Sequence, residues 1–225
     1  MNKIAVYTLT RDRIEYTKEC FAMLESKAGI EYDHYIVDNG SQDGTVEWLK
    51  ENENNFKKVI YNTENQGISK GSNQALNEIF SSGIPYEIII KMDNDCYVES
   101  ENILKSILEI YEKKGEFSAQ YVLSPRVKGI NTQPTRGGQE GLSGYIIGLT
   151  AIVGGLFHIV SYDVYKKYKY DEKLPLAKYQ DDFFCKWFKS NGGKVGYIED
   201  LVVWHKDTTD GQCRSEEHTS ELQSH

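Results

Sequence analysis

Along the first half of the chain the period of the apolar positions switches repeatedly. Lys3–Thr10 (KIAVYTLT) is a continuous apolar run of strand length. Tyr16, Cys20, Met23 and Leu24 then recur at helical spacing within Glu15–Lys27, ahead of a stop at Gly29. His34–Asp38 (HYIVD) reads as a second strand, NGSQDGT as a turn, and Val46 with Leu49 as a short helix. Lys57–Thr63 is a third strand, and Ala75, Leu76, Ile79 and Phe80 share one face of a helix closed by Gly83 and Pro85. Glu87–Asp93 (EIIIKMD) is the fourth strand, with Ile103, Leu104, Ile107 and Ile110 on the helix after it. Unbroken apolar strands alternating with helices predict an α/β fold whose mostly parallel sheet is covered on both faces.

After Lys114 the rhythm changes. YVLSPRV is a further strand, and Lys128–Gly144 reads as a long Gly-rich loop. Gly144–Val160 is apolar for seventeen residues, short of the about twenty that a bilayer helix needs. Gly144, Gly148, Gly154, Gly155 and His158 interrupt it, which suits two short buried strands joined by a turn. DDFFCKWFKSNGG is a helix with a glycine stop, and KVGYIEDLVVWH a last extended segment. Trp187 and Phe188 read as core. No internal repeat appears, so the second half reads as an elaboration of one domain.

Composition narrows the partners. A net charge of −8 over 225 residues, with no basic run, excludes a nucleic-acid backbone as main partner. Four cysteines without CxxC spacing read as reduced thiols of a cytoplasmic protein, Cys96 and Cys185 as small buried side chains. Met1 leads straight into a strand, with no signal peptide between. Arg214–His225 (RSEEHTSELQSH) looks like the translation of a sequencing adapter, so the domain is taken as residues 1–213, cut short of its natural C-terminus.

In parallel sheets, ligands bind outside the carboxyl ends of the strands. Polar residues collect at those ends here: Thr8, Thr10 and Arg11, then Asp38, then Asn65, then Asp93 and Asp95. That predicts one site built from four loops. In an extended chain Asp93 and Asp95 would lie on one side, about 7 Å apart. Two such carboxylates repel unless a cation sits between them, and hard oxygen ligands suit Mg²⁺ or Mn²⁺. The plain alternative is a turn that ends the strand.

Five segments taken in order, YIVDNGSQDGT, NQGISKGSN, KMDNDCYV, YQDDFFCKW and VVWH, resemble the family 2 glycosyltransferases of the GT-A fold. The resemblance runs from about Lys3 to His205. It implies transfer of a sugar from a nucleoside diphosphate sugar to an acceptor hydroxyl, inverting and assisted by a divalent cation. The acceptor would be a saccharide, a lipid-linked sugar or a protein. Residues about 1–100 would bind the nucleotide and about 101–213 the acceptor, with Lys128–Gly144 and Gly154–His158 shaping the acceptor pocket. Thr8 and Arg11 match the start of the nucleotide pocket, Asp38 the acid that meets the base, and Asn65, Gly67 and Lys70 the loop beside the diphosphate. Asp93 and Asp95 match the paired acids that touch ribose and metal, and His205 a histidine that completes the metal site. Asp181 matches the catalytic base. Gln180 stands where the family has Glu, and Asp182 follows, so either Asp181 or Asp182 can be the base, with Asp181 preferred. Ser72 replaces the usual Arg or His of the nucleotide loop. Relatives that build surface polysaccharides imply peripheral association with the inner face of a membrane. A sugar-phosphate nucleotidylyltransferase is the rival enzyme, though YTLTRDR lacks its glycines; a non-catalytic nucleotide-sugar-binding fragment is the other alternative.

Overall fold

A computed structural model describes residues 3–112, 119–129 and 136–206. Cys213 and the adapter-like Arg214–His225 lie outside these. The first half follows the predicted alternation: β1 (Ile4–Thr10), α1 (Ile14–Lys27), β2 (Asp33–Asn39), α2 (Thr45–Glu51), β3 (Lys58–Asn62), α3 (Gly67–Ser81) and β4 (Ile88–Met92). There follow β5 (Cys96–Val98), α4 (Ile103–Glu112), β6 (Tyr121–Lys128), β7 (Arg136–Leu142), β8 (Tyr145–Thr150), β9 (Phe157–Ser161), α5 (Tyr162–Tyr165), α6 (Gln180–Ser190) and β10 (Lys194–His205).

The strands form one mixed sheet in the order β3-β2-β1-β4-β9-β6-β10-β8-β7, with β5 paired to β10. β1, β2, β3 and β4 are mutually parallel, β9 is antiparallel to both β4 and β6, and β10 runs parallel to β6. The central sheet is therefore mostly parallel, with β8 and β9 reversed along that path. Ile4, Val6, Ile36, Ile88 and Ile90 are buried because helices cover both faces. Each such side chain contributes roughly 1.5–3 kcal/mol on burial.

One expectation changes in the second half and another is met. Part of the predicted Gly-rich loop Lys128–Gly144 is strand β7, hairpinned to β8 through Ser143 (φ 53°) and Gly144 (φ 93°). Two positive φ angles in a row make the tight turn that joins twisted antiparallel strands, and pairing to β8 overrides the weak strand propensity of RGGQEGL. The apolar segment Gly144–Val160 does hold two strands, but β8 and β9 do not pair with each other: β8 joins β10, and β9 enters between β4 and β6. No helix among the described residues is long and apolar enough to cross a membrane.

The halves are also clasped outside the sheet. The Asn73 side chain donates to Tyr170 O at 3.0 Å and accepts from Tyr170 N–H at 3.0 Å. Gly67 starts α3 at φ 77°, where a Cβ would lie 2.8 Å from Leu176 Cδ2 and 3.0 Å from Leu176 Cα. Only glycine allows that approach, and Ile68 N–H then reaches Leu176 O at 2.8 Å.

Candidate active site

The carboxyl ends of β1 to β4, the start of reversed β9, the start of α6 and the end of β10 meet at one rim. Asp38 is the last residue but one of β2, paired in register with Thr10. It is fully buried, and its carboxylate accepts from Thr10 Oγ1 (2.9 Å), Ser41 Oγ (2.5 Å) and the N–H groups of Gly40 and Ser41 (both 3.0 Å). Four donors fill the lone-pair positions a carboxylate offers. These bonds fold the NGSQD loop. Thr8 is buried, with its hydroxyl 3.0 Å from His34 Nε2 in the core. Arg11 is exposed, and Arg13 takes the inward position instead.

Asp93 and Asp95 sit in a turn rather than an extended chain, since Cys96 N–H returns to Asp93 O at 3.2 Å. The two side chains consequently go to different partners. Asp95, 2% exposed, lies 3.1 Å from Arg13 Nη1 and 3.4 Å from His205 Nε2, both measured to Oδ2. Antiparallel pairing of β10 with β5 places His205 there, opposite Cys96. Asp93, 35% exposed, accepts from Lys91 Nζ at 2.7 Å through Oδ1. Asn94 between them anchors the turn, donating to Thr17 Oγ1 and Asp12 O.

Lys91 is itself 2% exposed, and its ammonium also donates to Gly155 O at 2.6 Å. Burial by itself would lower its pKa; Asp93, Asp181 and Tyr7 together outweigh that and hold it above the usual lysine range. Gly155 N–H in turn donates to Asp181 Oδ2 at 2.7 Å. Asp181 opens α6 with 30% of its side chain exposed. Its Oδ1 faces His158 Nδ1 at 4.0 Å, and neither atom has a hydrogen-bond partner. His158 Nε2 lies 2.8 Å from Val153 O, which can only accept, so that nitrogen carries the proton. Burial lowers the His158 pKa and keeps the ring neutral, so Nδ1 presents a lone pair to a carboxylate. Two acceptors do not close to hydrogen-bond distance. Asp182 points elsewhere, to Lys186 at 2.5 Å one turn along α6.

On the third loop, Asn65 Oδ1 accepts from Gly67 N–H at 2.9 Å, ordering the start of α3. Lys70 is exposed and donates to Gln66. A cavity of about 450 Å³ between Lys3, Glu87, Glu112 and Tyr162 lies at the opposite rim, away from all of these residues.

Asp95 and His205 are two donors of a type that suits a divalent cation, and Arg13 lies on the same Asp95 oxygen. Adjacent ligands of an octahedral ion with bonds of about 2.1 Å lie roughly 3 Å apart, close to the 3.4 Å between Oδ2 and Nε2. No group of three or more His, Cys, Asp or Glu side chains is gathered for a metal among the described residues, so water and substrate oxygens would complete the shell.

The profile of glycosyl transferase family 2 matches residues 5–172. The chain belongs to that family. Solved structures show the same fold: S. aureus TarS residues 1–349 in complex with UDP, at TM-score 0.66 and 19% identity, over 90% of this chain and 60% of that one. Mannosyltransferase PcManGT from Pyrobaculum calidifontis matches at TM-score 0.67 and 13% identity, over 93% and 58%. GalNAc-T7 matches at TM-score 0.69 and 11% identity, over 90% and 43%. This family 2 chain thus spans about three-fifths or less of these neighbours. No curated protein matches it. The central GT-A sheet expected from the resemblance is present.

Sequence reasoning missed three residues at this rim: Lys91, Arg13 and His158 as a neighbour of Asp181. Lys91 had a signal, a charge inside the most apolar strand, where lysine is tolerated only if paired. Arg13 had none, because its left-handed backbone (φ 64°) is what turns it inward.

Proposed function

We propose that the protein transfers a sugar from a nucleoside diphosphate sugar to an acceptor hydroxyl, inverting the anomeric carbon. The observation that carries this reading is the single network Asp93–Lys91–Gly155–Asp181, beside the Asp95–His205 pair. It sets a general base next to the paired acids on the ligand-binding rim. Asp181 takes the proton of the acceptor hydroxyl as its oxygen bonds to the anomeric carbon and the bond to the diphosphate breaks. Such a base contributes roughly 10²–10⁴-fold. The base is assigned to Asp181 over Asp182, which pairs with Lys186 on the helix surface.

Asp95 and His205, with Asp93 alongside, would hold Mn²⁺ or Mg²⁺, whose charge stabilises the departing diphosphate. Arg13 adds a protein cation at the same place. Support for a nucleotide sugar comes from the neighbours, solved with UDP, UDP-GlcNAc, GDP-Man with Mn²⁺, and UDP, GalNAc and Mn²⁺. Asn65, Gly67 and Lys70 are assigned to the nucleotide side as the loop that shapes it. The acceptor is proposed to be a saccharide, a lipid-linked sugar or a protein, and the setting the cytoplasm, with peripheral association at the inner face of a membrane.

The test is a transfer assay with UDP-, GDP- and dTDP-sugars, with Mn²⁺ and with chelator. Transfer from one donor, lost on chelation, supports the reading. Nucleotide binding without turnover points to a binding fragment, and formation of a nucleotide sugar from a sugar phosphate to the nucleotidylyltransferase alternative.

A further inference from the structure

We propose that Lys91 is a positioning residue for the transfer step: its buried ammonium, acting through Gly155, holds the Asp181 carboxylate in register with Asp93. The inference rests on the reading of Asp181 as base.

Three observations converge on it. A buried ammonium is tolerated only when its donors are paired, and Lys91 spends them on two different loops, Asp93 Oδ1 at 2.7 Å and Gly155 O at 2.6 Å. Gly155 is gripped at its other polar end as well, its N–H donating to Asp181 Oδ2 at 2.7 Å. The glycine is also required on steric grounds, since a Cβ there would lie 2.6 Å from Lys91 Nζ and 2.7 Å from each Asp181 oxygen. The ammonium and the base thus close on one point that only hydrogen can occupy. Asp93 N–H adds a parallel link to Leu156 O at 3.0 Å.

A lysine serving the core alone could take any nearby acceptor as its second partner. This one is bonded to the residue from which the base hangs. Its positive charge also offsets the repulsion between Asp93 and Asp181, which would otherwise push the two loops apart. The base has to meet the acceptor hydroxyl in line with the donor bond, and misplacement by about 1 Å costs on the order of 10²-fold. Lys91 supplies that alignment from behind the site without touching either substrate.

Two variants of the full chain test it. Lys91→Met keeps the bulk and removes the charge; Gly155→Ala keeps the lysine and wedges a methyl between the ends of both side chains. Each is expected to lower kcat about 30–100-fold, while donor KM and the Kd for UDP, GDP or dTDP, whichever binds wild type, stay within about threefold. Should Lys91→Met not fold, Gly155→Ala carries the same test. A kcat within threefold of wild type in the folded variants overturns the proposal, and so does a rise in KM and Kd that matches the fall in kcat. If wild type itself transfers no sugar, the functional reading fails and the tether is still tested: urea unfolding of Lys91→Met, Asp181→Asn and the double variant is expected to show coupling of fivefold or more in the unfolding constant. Additive effects overturn it.

Discussion

A carboxylate can accept a substrate proton only if its own surroundings leave it a lone pair, and the acids of this rim differ in that respect. Asp38 has none to give, with four donors on it. Asp182 is spent on Lys186. Asp181 receives Gly155 N–H and keeps part of its surface open. Asp181→Asn is therefore expected to lower turnover by about 10²–10⁴-fold, with nucleotide affinity unchanged within a few-fold. Asp182→Asn is expected to cost less than about threefold, since an exposed ion pair contributes little. Steady-state kinetics beside nucleotide titration separates these outcomes, and the reverse ranking would remove Asp181 from the mechanism. From the sequence, neighbouring Asp181 and Asp182 were nearly interchangeable. Their roles diverge because successive helix positions point about 100° apart, and only the packing of α6 on Gly155 decides which one faces in. Asp38 poses a related problem: a strand-end acid reads the same whether it faces a ligand or its own loop.

At the scale of elements, the loop that Asp38 folds also starts two helices. Asp43 accepts from Ile14 N–H at 2.8 Å, capping α1 from a distant loop, and from Thr45 N–H and Oγ1 at the start of α2. Burial, the largest single influence, raises its pKa, but the Thr45 hydroxyl and the backbone donors together outweigh it and hold the carboxyl below its usual value. Loss of a cap costs about 1 kcal/mol, so Asp43→Ala is expected to cost at least that in urea unfolding because both helices lose a partner. His34 offers a second test on β2. Burial among Phe21, Tyr32 and Phe56 lowers its pKa to about 3. Its folded value lies below the unfolded one, so unfolding takes up a proton between pH 6.5 and 3. The stability tied to its neutral ring is complete above pH 6.5 and is lost as pH falls through that window, at about 1.4 kcal/mol per unit. From pH 7 to 5 wild type is expected to lose about 2 kcal/mol more than His34→Gln; parallel losses would exclude His34 as the source. The elements themselves were legible wherever apolar periodicity was strong, as in β1 to β4 and α3. β7 was not, because a Gly-rich edge strand takes its conformation from its partner, and neither was the place of β9, because strand order depends on contacts distant in sequence.

Across the whole molecule, the sheet runs without a break from β3 to β7, and the rim draws on both ends of the chain. Asp95 comes from the first half, His205 from the last described strand, and Asp181 from the helix before it. The position of the site was legible in the sequence from polar residues following apolar strands, while its second wall was visible only through the family resemblance. This construction has a thermodynamic consequence. Asn73 clasps Tyr170 and Ile68 clasps Leu176 across the halves, so neither half keeps its rim residues placed once the other opens. Unfolding is then expected to be a single cooperative transition in calorimetry, with equal van't Hoff and calorimetric enthalpies. A ligand that binds only the intact rim raises stability by RT ln(1 + [L]/Kd), about 2.7 kcal/mol at one hundred times Kd. UDP, GDP or dTDP with Mn²⁺, whichever binds, is expected to move the entire transition upward and to lose most of that shift in Asp95→Ala, which removes the buried carboxylate between Arg13 and His205. A melt in two steps, of which the nucleotide moves only one, would mean that the first half binds alone. The rim would then not be a joint structure, and Asp181 would no longer be fixed relative to the donor.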